Sequence, residues 1–288
     1  MIFLFRVLSY APLSWLHALG AGLGGLIWAL SPTYRRHLDE NLTLALGETA
    51  ARKIRSSAIA HAGRQAMELP KIWLRPQDEV IQRVVKITGW ELAEQAMREG
   101  KGILYLTPHL GCYEIISHYL SRYAPITVMY RPPKRRWMQM LIETGRKRDG
   151  LQIATADLSG VRTLLKALKR GEAVGMLPDQ APKVGEGLWV DFFGKPAYTM
   201  TLAARLSESG AAVIMLWVER LPAGAGFHFH LQAPRQALAG STENRAQQIS
   251  HEIEALIRQC PAQYLWGYNR YKRPAGAEPP PGAGEKTA

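Results

Sequence analysis

The segment from Ile103 to Glu114, ILYLTPHLGCYE, constrains this chain more than any other stretch. Ile103, Leu104, Tyr105 and Leu106 form an apolar run too short for a helix and suited to a strand buried on both faces. Pro108 lacks the N–H that a central strand must donate, so the strand ends there. Gly111 permits a tight turn or the close approach of a ligand. From Cys112 onward Ile115, Ile116, Tyr119 and Leu120 fall on one helical stripe. Strand, break and helix in this order put His109 at the carboxyl end of a strand, where open α/β sheets bind their ligands. Glu114, with four residues between it and His109, lies on the first turn of the helix, within reach of the imidazole. A carboxylate on one ring nitrogen fixes the tautomer and leaves the other nitrogen to take a proton from a hydroxyl. The same pair also suits a structural histidine and an acid that complements the helix dipole.

The flanking sequence repeats the alternation. Strands are predicted at Val84–Thr88, Ile126–Tyr130, Ala173–Leu177, Ala211–Val218 and Phe227–Leu231, with helices over 90–99, Val161–Lys169, Thr201–Ser209 and 242–258. The expected fold is therefore α/β, a mostly parallel central sheet flanked by helices, with an N-terminal membrane-anchor helix. Residues 38–75 read as helical throughout. Three segments follow: 1–36 as the anchor, 37–273 as the main domain, and 274–288 as a disordered tail of Gly, Pro, Ala and charge.

From Val7 to Leu30 the clearly polar side chains are Ser9, Tyr10, Ser14 and His17, and about 20 apolar residues span a bilayer core. Arg6 precedes the run, and Arg35, Arg36 and His37 follow it, so the positive-inside rule leaves the main domain in the cytoplasm. Pro12 and the glycines at 20, 22, 24 and 25 weaken a spanning helix; an interfacial helix and a buried core helix are the alternatives. Gly20 and Gly24 form a GxxxG packing signal. The net charge of +12 suits nucleic acid, an anionic membrane face or an acidic protein. Cys112 and Cys260 make neither a disulfide framework nor a zinc pattern, and favour a reducing compartment.

Further candidates sit at strand ends. Arg131, directly after a strand, begins the run Arg131–Trp137, and Gly145–Arg148 adds Arg146 and Arg148; such clusters neutralise phosphates or carboxylates. Asp179 follows another strand, where a carboxylate can bind a metal, orient a base or pair with an arginine, or simply form a Pro-Asp turn. Phe192 and Phe193 read as a loop pair, exposed for an acyl chain or membrane contact, or buried against the sheet. His228 and His230 share a strand face without an evident third metal ligand. Cys112, between His109 and Glu114, is a rival nucleophile.

The ordered set HLGCYE (109–114), Tyr130-Arg131-Pro132, Gly145-Arg146-Lys147-Arg148, Leu168–Glu172, Pro178-Asp179-Gln180, Phe192-Phe193-Gly194 and Trp266–Lys272 resembles the late acyltransferases of lipid A biosynthesis, of the lauroyl and myristoyl type, within the lysophospholipid acyltransferase superfamily. The resemblance runs from about residue 3 to 272. It implies an acyltransferase domain that moves a fatty acyl chain from acyl carrier protein to a hydroxyl of a lipid A precursor at the bacterial inner membrane, on its cytoplasmic face. It implies His109 as base and Glu114 as its orienting partner, with Arg131, Arg146, Arg148 and Asp179 shaping the substrate site. It calls for no metal or cofactor, and nucleic acid is not an expected partner. Backbone amides near Gly111, or an arginine, are expected to receive the oxyanion. Glu114 stands where the superfamily usually has Asp, and Gln180-Ala181 departs from the acidic residue that often follows Pro-Asp. The alternatives are acyl transfer to another glycolipid or a lysophospholipid, and a membrane-tethered basic nucleic-acid-binding protein.

Overall fold

A computed structural model describes residues 2–130, 139, 145 and 148–281. Its helices are α1 (Ile2–Tyr10), α2 (Leu13–Leu30), α3 (Pro32–Leu46), α4 (Glu48–Leu74), α5 (Gln77–Ile81), α6 (Trp90–Glu99), α7 (Ile115–Leu120), α8 (Leu158–Lys169), α9 (Leu202–Leu206) and α10 (Thr242–Gln259). Its strands are β1 (Val84–Thr88), β2 (Ile103–Leu106), β3 (Ile126–Tyr130), β4 (Leu151–Thr155), β5 (Ala173–Met176), β6 (Gly187–Phe192), β7 (Lys195–Met200), β8 (Ala212–Arg220) and β9 (Phe227–Gln232).

Seven strands form one sheet in the order β1-β9-β8-β2-β5-β3-β4. Neighbouring strands are parallel except the antiparallel pair β8–β9. The mostly parallel sheet with helices on both faces is thus present. β2 is central, and all four of its residues are buried, as a strand with helices on either side requires. Leu104 and Leu106 join Val174, Met176 and Met215 in one core, while Ile103 and Tyr105 join Ala173, Ile214 and Leu216 in the other. The alternation of side chains along each strand separates the two cores.

Three elements differ from the sequence expectation. The 38–75 helix breaks at Gly47, whose φ of 77° is poorly tolerated by other residues, and α3 begins earlier, at Pro32 behind a Ser31 cap. Strand β4 was not expected; it is a half-exposed edge strand with an irregular apolar pattern. The stretch expected as a loop around Phe192 is the hairpin β6–β7, closed by Phe193 and Gly194 with φ values of 52° and 74°. Positive φ at both central residues is the turn chemistry that matches strand twist. Both phenylalanines are buried; the Arg258 guanidinium lies 4.5 Å from the Phe193 ring centre. Within the segment after Pro274, Ala277 is buried and the Glu278 carbonyl accepts from Trp189 Nε1 at 3.1 Å.

The N-terminal apolar run folds as α1 and α2, divided at Pro12. α2 is long and apolar enough to cross a membrane, and it packs along α4. The GxxxG signal operates within the chain. Cβ atoms built on Gly20 and Gly24 come 2.7 and 2.3 Å from α4 backbone oxygens, and one on Gly63 comes 1.9 Å from the Gly20 carbonyl. Gly63→Ala is therefore expected to force the helices apart and destabilise the protein by about 1–3 kcal/mol, the usual effect of overpacking. A lowered thermal midpoint in detergent checks this, and an unchanged midpoint contradicts it.

Candidate active site

His109 is set by the fastening of the loop after β2. The Thr107 amide donates to Met176 O at 3.0 Å, extending the ladder to β5 before Pro108 ends it. The Gly111 amide donates to Gln263 O at 3.0 Å and the Cys112 amide to Val218 O at 2.9 Å. Gly111 has φ 61°, and a Cβ there would lie 1.8 Å from Val218 O, so the loop can pack on β8 only with glycine at this position. The amides of Gly111 and Cys112, expected as oxyanion donors, are thus already engaged by carbonyls.

The carboxylate on the imidazole comes from Asp179, three residues beyond the end of β5. Asp179 Oδ1 lies 2.8 Å from His109 Nδ1, and Oδ2 accepts from the His109 backbone amide at 2.9 Å. Asp179 is 3% exposed. Burial pushes its carboxyl up, but the His109 imidazole, its two hydrogen bonds and the nearby Arg270 guanidinium outweigh burial and hold it below the usual range. Its contribution to stability is complete above the unfolded carboxylate range and is lost as pH falls through the folded value. Arg270 is itself buried, donating to Tyr198 O at 2.9 Å and to Thr199 Oγ1. With an ionised Asp179 accepting Nδ1–H, the Nε2 lone pair faces away from it, and the Gln180 amide nitrogen sits 3.2 Å from Nε2.

Glu114 stands immediately before α7 and accepts from Trp73 Nε1 of α4 at 3.0 Å. Arg148 donates from Nη2 to the carbonyls of Trp73 and Arg75, at 3.1 and 2.9 Å, where α4 ends. Burial lowers its pKa. Arg131 and Arg146 lie outside the described residues.

His109, Glu114 and Gln180 line one cavity of about 1020 Å³. That is at the upper end of the roughly 300–1,000 Å³ of small-molecule sites. Its walls are largely apolar and wrap around the carboxyl ends of β3 and β5. Tyr105, Ile126, Val128 and Gly175 line it from one sheet face, with Ile116 of α7; Met129 and Met176 line it from the other, with Leu158, Val161 and Leu165 of α8. A Cβ on Gly175 would meet Val128 Cγ1 at 3.2 Å, so glycine here lets the β3 side chains pack close against β5 at the cavity wall. Cys112 is not among the walls; burial pushes its thiol pKa well up, which leaves little thiolate to act as a nucleophile.

Sequence reasoning pairs His109 with Glu114 and places Asp179 at a comparable strand end, but does not give the His109–Asp179 contact. Two parallel neighbouring strands that end at the same level bring together residues 70 apart; the signal in the sequence is that each residue directly follows a proline that ends a strand. Nothing in local pattern marks Trp73 or Gly175, and Gln180 enters only as a departure from the family's pattern after Pro-Asp.

The sequence family described as bacterial lipid A biosynthesis acyltransferase matches residues 1–273. The chain is 27% identical over 268 residues to a lipid A biosynthesis lauroyltransferase of Escherichia coli (strain K12), covering 91% of this chain and 87% of that protein. It is 25% identical over 267 residues to the palmitoleoyltransferase of the same strain, covering 88% and 85%. To the myristoyltransferase it is 23% identical over 251 residues, covering 85% and 77%.

Proposed function

Because the chain belongs to the bacterial lipid A biosynthesis acyltransferase family, we propose that it moves a fatty acyl chain from an acyl carrier protein thioester to a hydroxyl of a lipid A precursor, with His109 as general base. The observation that carries this reading is the 2.8 Å contact between His109 Nδ1 and Asp179 at the rim of a large apolar cavity. A hydroxyl is a poor nucleophile near neutral pH and needs a base within hydrogen-bond reach. His109 Nε2 takes the hydroxyl proton as the oxygen attacks the thioester carbonyl. Collapse of the tetrahedral intermediate breaks the C–S bond, and the imidazolium returns its proton to the departing thiolate. Asp179 holds the Nδ1–H tautomer and stabilises the imidazolium. Glu114, on the same cavity wall, adds a second negative charge that favours it. Gln180 yields its place on Nε2 to the acceptor hydroxyl. The cations Arg131, Arg146 and Arg148 suit the phosphates of the acceptor, and the chain's net charge of +12 suits an acidic carrier protein.

The N-terminal helices suit an interfacial anchor better than a spanning one. Phe3, Tyr10, Trp15, Leu26, Ile27 and Leu30 are exposed on α1 and α2, whereas the opposite side of α2 is packed on a charged helix, α4. Apolar helices fastened to the protein along one side can seat their other side at the headgroup and acyl boundary without crossing the bilayer. Such seating at the inner membrane's cytoplasmic face gives the cavity access to a lipid acceptor and a soluble donor.

Mass spectrometry of lipid A from cells with and without the protein tests the reaction. A missing acyl group of defined mass is expected; an unchanged lipid A profile, with altered phospholipids instead, sinks this acceptor. Gly175 refines the reading. Gly175→Val crowds Val128 and intrudes on the cavity wall, and is expected to reduce transfer of the longest accepted chain by at least about tenfold, since even one methylene in an apolar pocket is worth roughly 10–200-fold. Shorter chains should be spared; a uniform loss across donor lengths removes Gly175 from the acyl path.

A further inference from the structure

We propose that Glu219, His228 and His230 form a binding site for a first-row divalent cation, Zn²⁺ by the nature of its donors, on the β8–β9 pair. The site is separate from the cavity that holds His109, none of whose walls these residues form. His228 and His230 alternate along β9 and so share one sheet face, and Glu219 of β8 pairs directly with His228 across the antiparallel ladder. The missing third ligand is thus on the neighbouring strand. One donor atom from each residue lies within 4.8 Å of the others. Glu219 Oε2 is 3.1 Å from His230 Nε2 and 3.6 Å from His228 Nδ1. Zinc bonds of about 2.0–2.2 Å in a tetrahedral shell put donors roughly 3.3–3.6 Å apart, so an ion requires only small side-chain adjustments.

The surroundings orient the rings as outer partners of metal ligands do. Thr88 Oγ1 of β1 is 2.8 Å from His228 Nε2; by accepting that N–H it leaves the Nδ1 lone pair facing Glu219. The His230 ring stacks on the Trp217 indole, with centres 4.1 Å apart and planes 3° from parallel. His228 is buried, while His230 and Glu219 are half-buried, which leaves one side of the shell open to water as a fourth ligand. Two imidazoles and one carboxylate suit Zn²⁺ and its first-row neighbours over Mg²⁺ or Ca²⁺, which prefer all-oxygen shells. Lys86, exposed on β1, acts electrostatically on both rings, and its flexible stem lets the ammonium withdraw into solvent.

The test is titration of the full chain in detergent with Zn²⁺, by calorimetry and by thermal midpoint, with Mg²⁺ as control. One saturable Zn²⁺ equivalent and a raised midpoint are expected, with no response to Mg²⁺. The double variant His228→Asn/His230→Asn should lose both effects. Should it fail to fold, Glu219→Gln should weaken binding by at least about tenfold, and Thr88→Val by roughly 10–100-fold, as outer-partner losses do. His251→Asn, at an exposed position of α10, should change nothing. Absence of saturable Zn²⁺ binding overturns the proposal. So does binding that is unchanged by Glu219→Gln, which would move the ion to other histidines.

Discussion

Asp179→Asn is expected to lower kcat/KM for acyl transfer by about two to four orders of magnitude, close to the effect of His109→Ala. The asparagine keeps the shape of the contact at Nδ1 but loses the charge that stabilises imidazolium, and its amide N–H₂ can donate to Nδ1 and favour the opposite tautomer. The loss should fall mainly on kcat, because the group acts through the base and not on the acyl chain. Glu114→Gln is the companion experiment. Asp179 already holds the Nδ1 side of the imidazole, while Glu114 accepts from the Trp73 indole, so its removal should be milder than that of Asp179. Steady-state rates for the three variants with one acyl carrier protein donor decide the matter. If Asp179→Asn keeps wild-type turnover while Glu114→Gln falls with His109→Ala, the orienting carboxylate is Glu114 and the observed contact is structural.

The second large effect lies behind the site. Glu68 of α4 and Arg220 at the end of β8 are both almost completely buried and form a two-pronged ion pair, with Arg220 Nη2 on Oε2 at 2.7 Å. His17 of α2 contacts Glu68 Oε1 at 2.7 Å, and Arg220 Nη2 also reaches Gly111 O at 3.3 Å. One buried cluster therefore ties the N-terminal helix, α4, the sheet and the loop carrying His109. Burial pushes the Glu68 carboxyl up, but the charge and hydrogen bonds of Arg220 and the His17 contact hold it at about 2, below its ordinary 4.5. Its contribution to stability is thus complete above pH 4.5 and is lost as pH falls toward 2. Glu68→Gln leaves the guanidinium buried without a counter-charge and is expected to destabilise the protein by about 3–5 kcal/mol. Replacing both partners, Glu68→Leu with Arg220→Met, should recover most of that loss, because neither charge remains to be solvated. Urea midpoints at constant slope measure both. A single variant as stable as wild type would mean that water reaches the pair.

The family resemblance rests on ordered motifs spread along most of the chain, whereas local chemistry alone determined the strand–break–helix around His109, the β/α alternation and the α2 packing glycines. Each is written in a few neighbouring residues: apolar runs, a proline that cannot donate, a glycine with positive φ. The buried Phe192–Phe193 hairpin was less legible, because a two-residue turn with a phenylalanine at positive φ mimics a loop in composition. Tertiary structure decided which acid meets the imidazole. Asp179 reaches Nδ1 because β2 and β5 are parallel neighbours in register, Leu106 beside Met176, and strand order is a long-range choice that no local pattern encodes. The same reason holds for Glu219. Its place beside His228 follows from the antiparallel β8–β9 register, and the two residues look unrelated until that ladder forms.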